Sequence, residues 1–313
     1  MLLNDRCAVT KPGPRRATFE VVVAAFFWST AGIGIESASL PGSAIAGWRS
    51  LFALPIVGLF AFRDPAVRRC FPQAIRDPLV WFTAAVYAAM VQLFVVATTL
   101  TGAASAIFLQ YTSPVFLLLL AGPMLGEWPE RRDKVAIGVA MLGMLCFFSD
   151  GLDANGLHGK LLALGSALGY GLFPILLRRL QRRGGTLGEA APSLVLPLAN
   201  ILVFASVALR GDLVCPLDAS GFRLLIGLGV LQHALPYILY RRAIHSLPAL
   251  DVALLTLIEP LLNPFWVWFF RGTIPSRGTL IGGSIVLTTV LFHTLARAHS
   301  APKYVHVDEP VAD

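Results

Sequence analysis

The sequence predicts an all-α membrane protein of ten transmembrane helices, built as two inverted five-helix repeats. Three observations carry that reading. Hydrophobic residues fill 56% of the 313 positions and charged residues only 14%, where soluble domains carry roughly a quarter charged. Ten apolar runs, near the roughly 20 residues that cross a hydrocarbon core, lie between charges or turn residues. Lysine and arginine concentrate in alternate connections between those runs, as the orientation rule for membrane proteins requires.

Residues 1–17 form a polar N-terminal tail with Arg6, Lys11, Arg15 and Arg16. The apolar run behind it has no small-residue cleavage site and is read as an uncleaved first span, Thr18 to Ile35. The second, Ser43 to Phe62, ends at Arg63, and the third, Leu79 to Thr98, follows a stretch holding Arg68, Arg69 and Arg76. The fourth, Ala103 to Leu125, begins so soon after the third that the two nearly fuse, and a count of nine stays open. Val135 to Ser149 follows Arg131, Arg132 and Lys134 as the fifth, completing a first repeat over 18–149. The second repeat, 158–297, holds Leu161 to Leu177, Pro192 to Leu209, Leu224 to Tyr240, Pro248 to Phe270 and Gly278 to Ala296. Residues 298–313 form a polar tail.

With the N-terminus inside, nineteen of the 25 lysines and arginines fall on the cytoplasmic side, including Arg178, Arg179, Arg182, Arg183, Arg241 and Arg242. Five fall outside (Lys160, Arg210, Arg223, Arg271, Arg277), and Arg49 lies within a span. Both termini are therefore expected in the cytoplasm of a cell with an inner membrane. A net charge of +7 distributed over short loops gives no continuous basic face, which argues against nucleic acid as a partner. Four scattered cysteines without a CxxC pair argue against a zinc site or a disulfide framework.

A shift of 146 residues superposes Ala97 on Ala243, Ala103 on Ala249, Leu109 on Leu255, Pro114 on Pro260, Gly126 on Gly272 and Pro129 on Pro275. An odd number of spans per repeat makes the halves opposite in orientation, and inverted repeats place a binding site near the bilayer midplane at their interface.

The residues carry a resemblance. Trp28-Ser29-Thr30 in the first span, Trp48-Arg49 in the second, Gly126-Glu127-Trp128-Pro129 after the fourth and Ile258-Glu259-Pro260 in the ninth resemble the EamA-type drug/metabolite transporters over residues 18 to 297. The resemblance implies ten spans, cytoplasmic termini and transport of small metabolites, often export of amino acids. One departure stands out: the turn after the ninth span reads Gly272-Thr273, with no glutamate. Cationic-drug exporters of the superfamily use a carboxylate deep in the first span, whereas Glu20 sits near its cytoplasmic end.

Ionisable and polar groups at span centres cost about 2.5 kcal/mol or more on insertion scales, so each is a site candidate. Glu259 leads: it lies mid-span and shares a face with Asn263. Pro260 and Pro264 free the carbonyls of Thr256 and Pro260. Glu259 is read either as a carboxylate that exchanges a proton for substrate or as the partner of broken backbone at a structural kink. The fourth span repeats the pattern, with Gln110, Tyr111 and Ser113 around Pro114. In the eighth, His233 and Tyr237 stand beside Pro236; a lone histidine there serves a proton or substrate, or is hydrogen-bonded within the bundle. Trp28, Tyr87, Tyr170 and Phe173 are candidate aromatic walls, with packing or lipid contact as the alternative. Arg49, about 9 Å below the outer end of its helix at 1.5 Å per residue, is expected to snorkel outward or to pair with Glu36, a structural role preferred over substrate contact.

No HExxH, Walker loop or GxSxG occurs, so neither an enzyme nor an ATP-driven pump is expected, and no cofactor or metal. The expected partners are the lipid bilayer, a small-molecule substrate and a proton as coupling ion; no pattern specifies an oligomer. Transport is expected to be export of amino acids or related compounds, with uptake of a vitamin or nucleoside-like solute as the alternative and a membrane-embedded enzyme behind both. Reporters fused after Arg76, Arg132, Arg183 and the C-terminus should register cytoplasm, and one placed between Ser149 and His158 the outside. A C-terminus outside would end the ten-span arrangement.

Overall fold

Proline and small polar residues set where the helices begin and pause. The computed structural model describes residues 13–147, 156–216, 218–244, 246–271 and 277–300. Its first span is Pro14–Glu36, opened by Pro14 at the first helical position, where a missing N–H costs nothing. The helix pauses after Trp28, where Ser29 and Thr30 donate their hydroxyls to the carbonyls of Phe26 (2.6 Å) and Phe27 (2.7 Å), in competition with the helical ladder. The second span is Gly42–Phe62.

The third and fourth are Pro78–Ala103 and Ser105–Leu125. Gly102 divides them, with φ 76° and ψ 155°, a region open to glycine and strained for any side chain. Glu36 accepts the N–H just beyond, from Ala103, at 2.8 Å. Asp77 at the start of the third and Glu127 after the fourth both reach arginines at the same end of the sixth span. These are therefore two antiparallel helices, and the count of nine is set aside.

The fifth helix is Arg131–Phe147, the sixth Leu157–Gln181 and the seventh Gly185–Leu209. The seventh begins seven residues before the expected start at Pro192 and keeps Pro192 and Pro197 inside the helix. Ala219–Ala243 forms the eighth, with a π-helical stretch at Leu228–Ala234. The ninth breaks into Ala249–Thr256 and Ile258–Arg271, and Arg277–Ser300 is the tenth. Among the described residues there is no strand. Both sequence tails, the expected end of the fifth span at Ser149 and the Gly272-x-x-Pro275 turn lie outside or across the limits of the described residues.

One helix was not expected. Pro65–Ala74 is capped by Asp64, whose carboxylate accepts the Ala66 N–H at 2.8 Å. Val67, Cys70 and Ala74 are buried while Arg68 and Arg69 are exposed, the spacing of an amphipathic helix lying along the bundle end. It packs against the seventh span.

The main packing partners lie across the repeats. The second span packs on the seventh, the fifth on the tenth, the first on the eighth, and the third and fourth on the sixth. Two of these pairs are their own symmetry mates, and first-on-eighth is the mate of sixth-on-third, as a two-fold axis in the membrane plane requires. The breaks obey the same relation: the fourth span pauses at Tyr111 and the ninth at Leu257, 146 residues apart. Tyr87 and His233, also 146 apart, touch at 3.4 Å, which puts them on the pseudo-axis. Around this interior, Phe19, Leu59, Leu119, Leu142, Leu231 and Phe292 are exposed, an apolar surface that only a bilayer covers comfortably.

Close helix approach rests on glycine at Gly171. A Cβ there would come within 2.7 Å of the Ser113 carbonyl oxygen and 3.0 Å of the Leu117 nitrogen, backbone atoms that cannot rotate away. Gly171→Ala should destabilise the purified protein by about 1–3 kcal/mol in a thermal or denaturant melt. Gly138→Ala, with nothing within 4 Å, should be neutral or stabilising by up to about 1 kcal/mol from helix propensity. Equal melting of the two variants would refute the close-packing role.

Candidate functional site

The broken helices converge on a cavity at the repeat interface. Its walls are Trp28 from the first span, Arg49 from the second, Met90, Val91 and Phe94 from the third, and Gln110 from the fourth. Tyr170 of the sixth, Gln232, His233 and Tyr237 of the eighth and Glu259 of the ninth complete it. Its volume is about 30 Å³, room for about one water molecule and far below the several hundred Å³ of sites that hold small organic ligands. In this state the site has no room for a small organic solute.

Glu259, 6% exposed, follows directly on the break of the ninth span. Its Oε2 accepts from the Tyr111 hydroxyl at 2.5 Å, and the same hydroxyl lies 2.9 Å from the Thr256 carbonyl. That carbonyl is one of those released by Pro260. A tyrosine from the other repeat thus stands against the freed carbonyl. Tyr111 stands behind the carboxylate and is not part of the cavity wall.

Gln110 donates through Nε2 to Ser166 Oγ at 2.8 Å, and Ser166 passes its own proton to the Met90 carbonyl at 2.8 Å. This chain ties the third, fourth and sixth spans beneath the cavity floor. On the eighth span, His233 Nε2 lies 3.0 Å from Asn200 Oδ1. The Asn200 amide is oriented by its Nδ2, which donates to the Leu196 carbonyl at 2.8 Å. Nε2 is therefore the protonated nitrogen, assigned from the network, and Nδ1 is a buried acceptor with no partner among the described residues. The π-helical stretch, which widens the turn around 228–234, is what carries Gln232 and His233 together onto the cavity.

Aromatic rings close the walls. Trp28 meets Tyr237 edge-on at 4.7 Å and Tyr170 at 6.4 Å between centroids, and its indole N–H has no partner among the described residues. Tyr87 sits one layer back, between Phe173 at 5.0 Å and Tyr237 at 4.8 Å. Of the residues expected from the sequence, the structure brings Trp28, Gln110, Tyr170, His233, Tyr237 and Glu259 to the cavity. Tyr87, Tyr111 and Phe173 form a supporting layer. Ser113 is buried with its backbone against Gly171, away from the wall. The side chain of Asn263 lies outside the described residues.

Arg49 is the main correction. In place of an outward-reaching cation, its side chain is 3% exposed and lies on the cavity wall. Its Nη2 donates to Gln232 Oε1 at 2.5 Å, while Glu36 accepts from Ala103. Sequence reasoning also missed Gln232, Asn200 and Ser166. Asn200 and Gln232 are polar residues within apolar spans, the signal that singled out Glu259.

At the end of the bundle carrying most of the basic residues, ion pairs close the gaps between helices. Arg178 and Arg182 reach Glu127 at 3.1 and 2.7 Å. Arg178 also donates to the Leu247 carbonyl at 2.5 Å and Arg182 to the Leu125 carbonyl. Glu20 is held by Arg242 at 3.0 Å and Arg16 at 3.3 Å, so it is committed to this end and is not a cavity carboxylate. The fourth span is stopped by Gly126 in the left-handed region, φ 70°, a C-cap that turns Glu127 toward the arginines.

A family model, EamA-like transporter family, matches residues 16–149 and 157–295. The uncharacterized transporter YwfM of Bacillus subtilis is 24% identical over 274 residues, 87% of this chain and 91% of that protein. An uncharacterized transporter of Archaeoglobus fulgidus is 24% identical over 198 residues, 63% of this chain and 69% of that one. A protein of known crystal structure superposes with a TM-score of 0.74 at 15% identity, over 92% of this chain and all of that one, a likeness of fold. With the family model covering both halves of the ten-helix bundle, this chain is a multi-pass membrane protein belonging to the EamA-like transporter family.

Proposed function

We propose that this protein is a secondary transporter that exports amino acids or closely related metabolites across the inner membrane, exchanging them for protons at Glu259. The observation that carries the proposal is the position of Glu259: a buried carboxylate at a helix break, on a cavity between inverted repeats, held by a hydroxyl from the opposite repeat. Binding sites of inverted-repeat transporters lie at this place. Amino acids as cargo and export as direction rest on the family resemblance, and the cytoplasmic placement of the basic end rests on the distribution of arginine and lysine.

The chemistry follows from the partners. An ionised carboxylate in the bilayer centre costs several kcal/mol unless it is neutralised or paired. Glu259 therefore trades a proton for an opposite charge on the solute, and the two occupy the site in turn. The single phenolic proton of Tyr111 goes to the carboxylate when Glu259 is ionised; when Glu259 is protonated, the acid donates to the Tyr111 oxygen and the phenolic proton goes to the Thr256 carbonyl.

The test is flux of radiolabelled protein amino acids, taken singly, in proteoliposomes with and without an imposed pH gradient. For wild type, the gradient should accelerate counterflow of at least one of them. Glu259→Gln, at matched incorporation, should bind that solute more weakly and should lose its response to the gradient, because both the exchangeable proton and the charge that pairs with the solute are removed. Wild-type flux indifferent to the gradient would refute proton exchange, and absence of flux for every amino acid would refute the cargo. Tyr111→Phe removes the hydroxyl from both the carboxylate and the Thr256 carbonyl. It should lower stability by about 1–2 kcal/mol, toward the upper end for interhelical hydrogen bonds in membranes, as read by denaturant unfolding in bicelles. No change would mean that water replaces the hydroxyl.

A further inference from the structure

The cavity holds an anion receptor that the proton-exchange reading does not use. Arg49 is 3% exposed and contributes to the cavity wall. Among the described residues its one hydrogen bond goes to a neutral amide, Gln232. Its Nε and Nη1 have no hydrogen-bond partner among the described residues, so at least three of the five N–H bonds of the guanidinium are uncommitted. A buried arginine kept for structure is paired and fully hydrogen-bonded, because an unpaired charge in a low-dielectric interior costs several kcal/mol. The carboxylate on the same cavity does not serve this arginine through a hydrogen bond: Glu259 accepts from Tyr111.

The surroundings add to the case. The Trp28 indole N–H, on the same cavity, is also buried and unpartnered. The Trp28, Tyr170 and Tyr237 rings supply apolar walls. Two donor groups without acceptors thus belong to residues lining one small space, along with a single neutral acceptor, His233 Nδ1, which carries no charge to balance the guanidinium. What satisfies them is a planar group with two acceptor oxygens and one negative charge, matching the fork of a guanidinium.

We infer that the cargo carries a carboxylate and that Arg49 binds it through its free N–H groups when the bundle opens to admit a solute. The inference deepens the proposed function, since it names the group by which that site takes hold of its cargo. A carboxylate matches one guanidinium in charge and shape, whereas a phosphate dianion would leave an excess negative charge that one arginine does not neutralise. Arg49 is then held unpaired by design of the resting state: Gln232 fixes its orientation without cancelling its charge.

Binding to the purified full-length protein in nanodiscs, read by thermal stabilisation, tests this independently of transport. The probes are the protein amino acids taken singly, simple carboxylates such as propionate and benzoate, the amide and the decarboxylated amine of every amino acid that stabilises, and inorganic phosphate. Compounds with a free carboxylate should stabilise the wild type, and their amides and amines should bind at least tenfold more weakly. Arg49→Lys should weaken the acids at least tenfold and Arg49→Gln should abolish their effect.

The unliganded Arg49→Gln protein should melt no lower than wild type, since it loses an unpaired charge and no ion pair. A marked loss of stability in that variant would assign Arg49 a structural role and overturn the inference. So would amides or amines binding as tightly as acids, stabilisation by phosphate alone, or no stabilisation by any carboxylate. Carboxylate binding at Arg49 without flux of any amino acid would leave Arg49 as the carboxylate receptor and refute amino acids as the cargo.

Discussion

Inside a bilayer every backbone polar group needs a partner within the protein, and the architecture of this molecule follows from how that demand is met at its helix breaks. Pro114 and Pro260 occupy equivalent places in the two repeats, and each removes a rung from its helix. On the ninth span the loose carbonyl of Thr256 is taken up by the Tyr111 hydroxyl, which stands at the break of the fourth. The same oxygen reaches Glu259. One hydroxyl thus stands between backbone and carboxylate, giving its single proton to the Thr256 carbonyl or to Glu259 according to the protonation of the latter, and joins the repeats at their interface. The pauses in the helices are what bring polar groups to the membrane centre, and the cross-repeat hydroxyl is what makes those pauses tolerable.

Much of this was legible in the chain. Ten apolar segments, the opposed halves and the breaks near Pro114 and Pro260 come from hydrophobicity, charge and proline, whose effects are local and strong. Glu259, Gln110 and His233 announced themselves because polar groups are rare at such depth. Asn200 and Gln232 met the same criterion and were overlooked, one in the middle of an otherwise apolar span and the other in the shadow of a histidine. The amphipathic helix Pro65–Ala74 was missed because a search for runs long enough to cross a membrane passes over ten residues with a polar face, although Asp64-Pro65 is a clear helix start.

What could not be read was direction around a helix axis and contact across long separations. Arg49 has the same depth whether it points outward or inward, and depth was all the sequence supplied. Its inward course depends on Gln232, 183 residues away, carried to the cavity by a π-helical turn that has no simple sequence signature. The Tyr111 bridge likewise depends on a partner 148 residues on. The internal repeat helps here more than any single motif: the shift that aligns Pro114 with Pro260 also aligns Tyr87 with His233, and those two side chains meet.

Gly102 has a mechanical meaning as well. A connection of this length leaves the third and fourth helices no freedom to slide past each other, so they form a pair of compass legs joined at a vertex, which Glu36 clasps through Ala103. Taking 1.5 Å per residue, the fourth leg is about 33 Å long and Gln110 lies about 10 Å along it. A swing of about 10° of the whole leg as one body, with its pause at Tyr111 held fixed, would then shift Gln110 by about 2 Å and the far tip, where Glu127 meets its arginines, by about 6 Å. Lever arms of such unequal length couple a small adjustment beside the cavity to a large one at the ion-paired end, with a single glycine as the fulcrum.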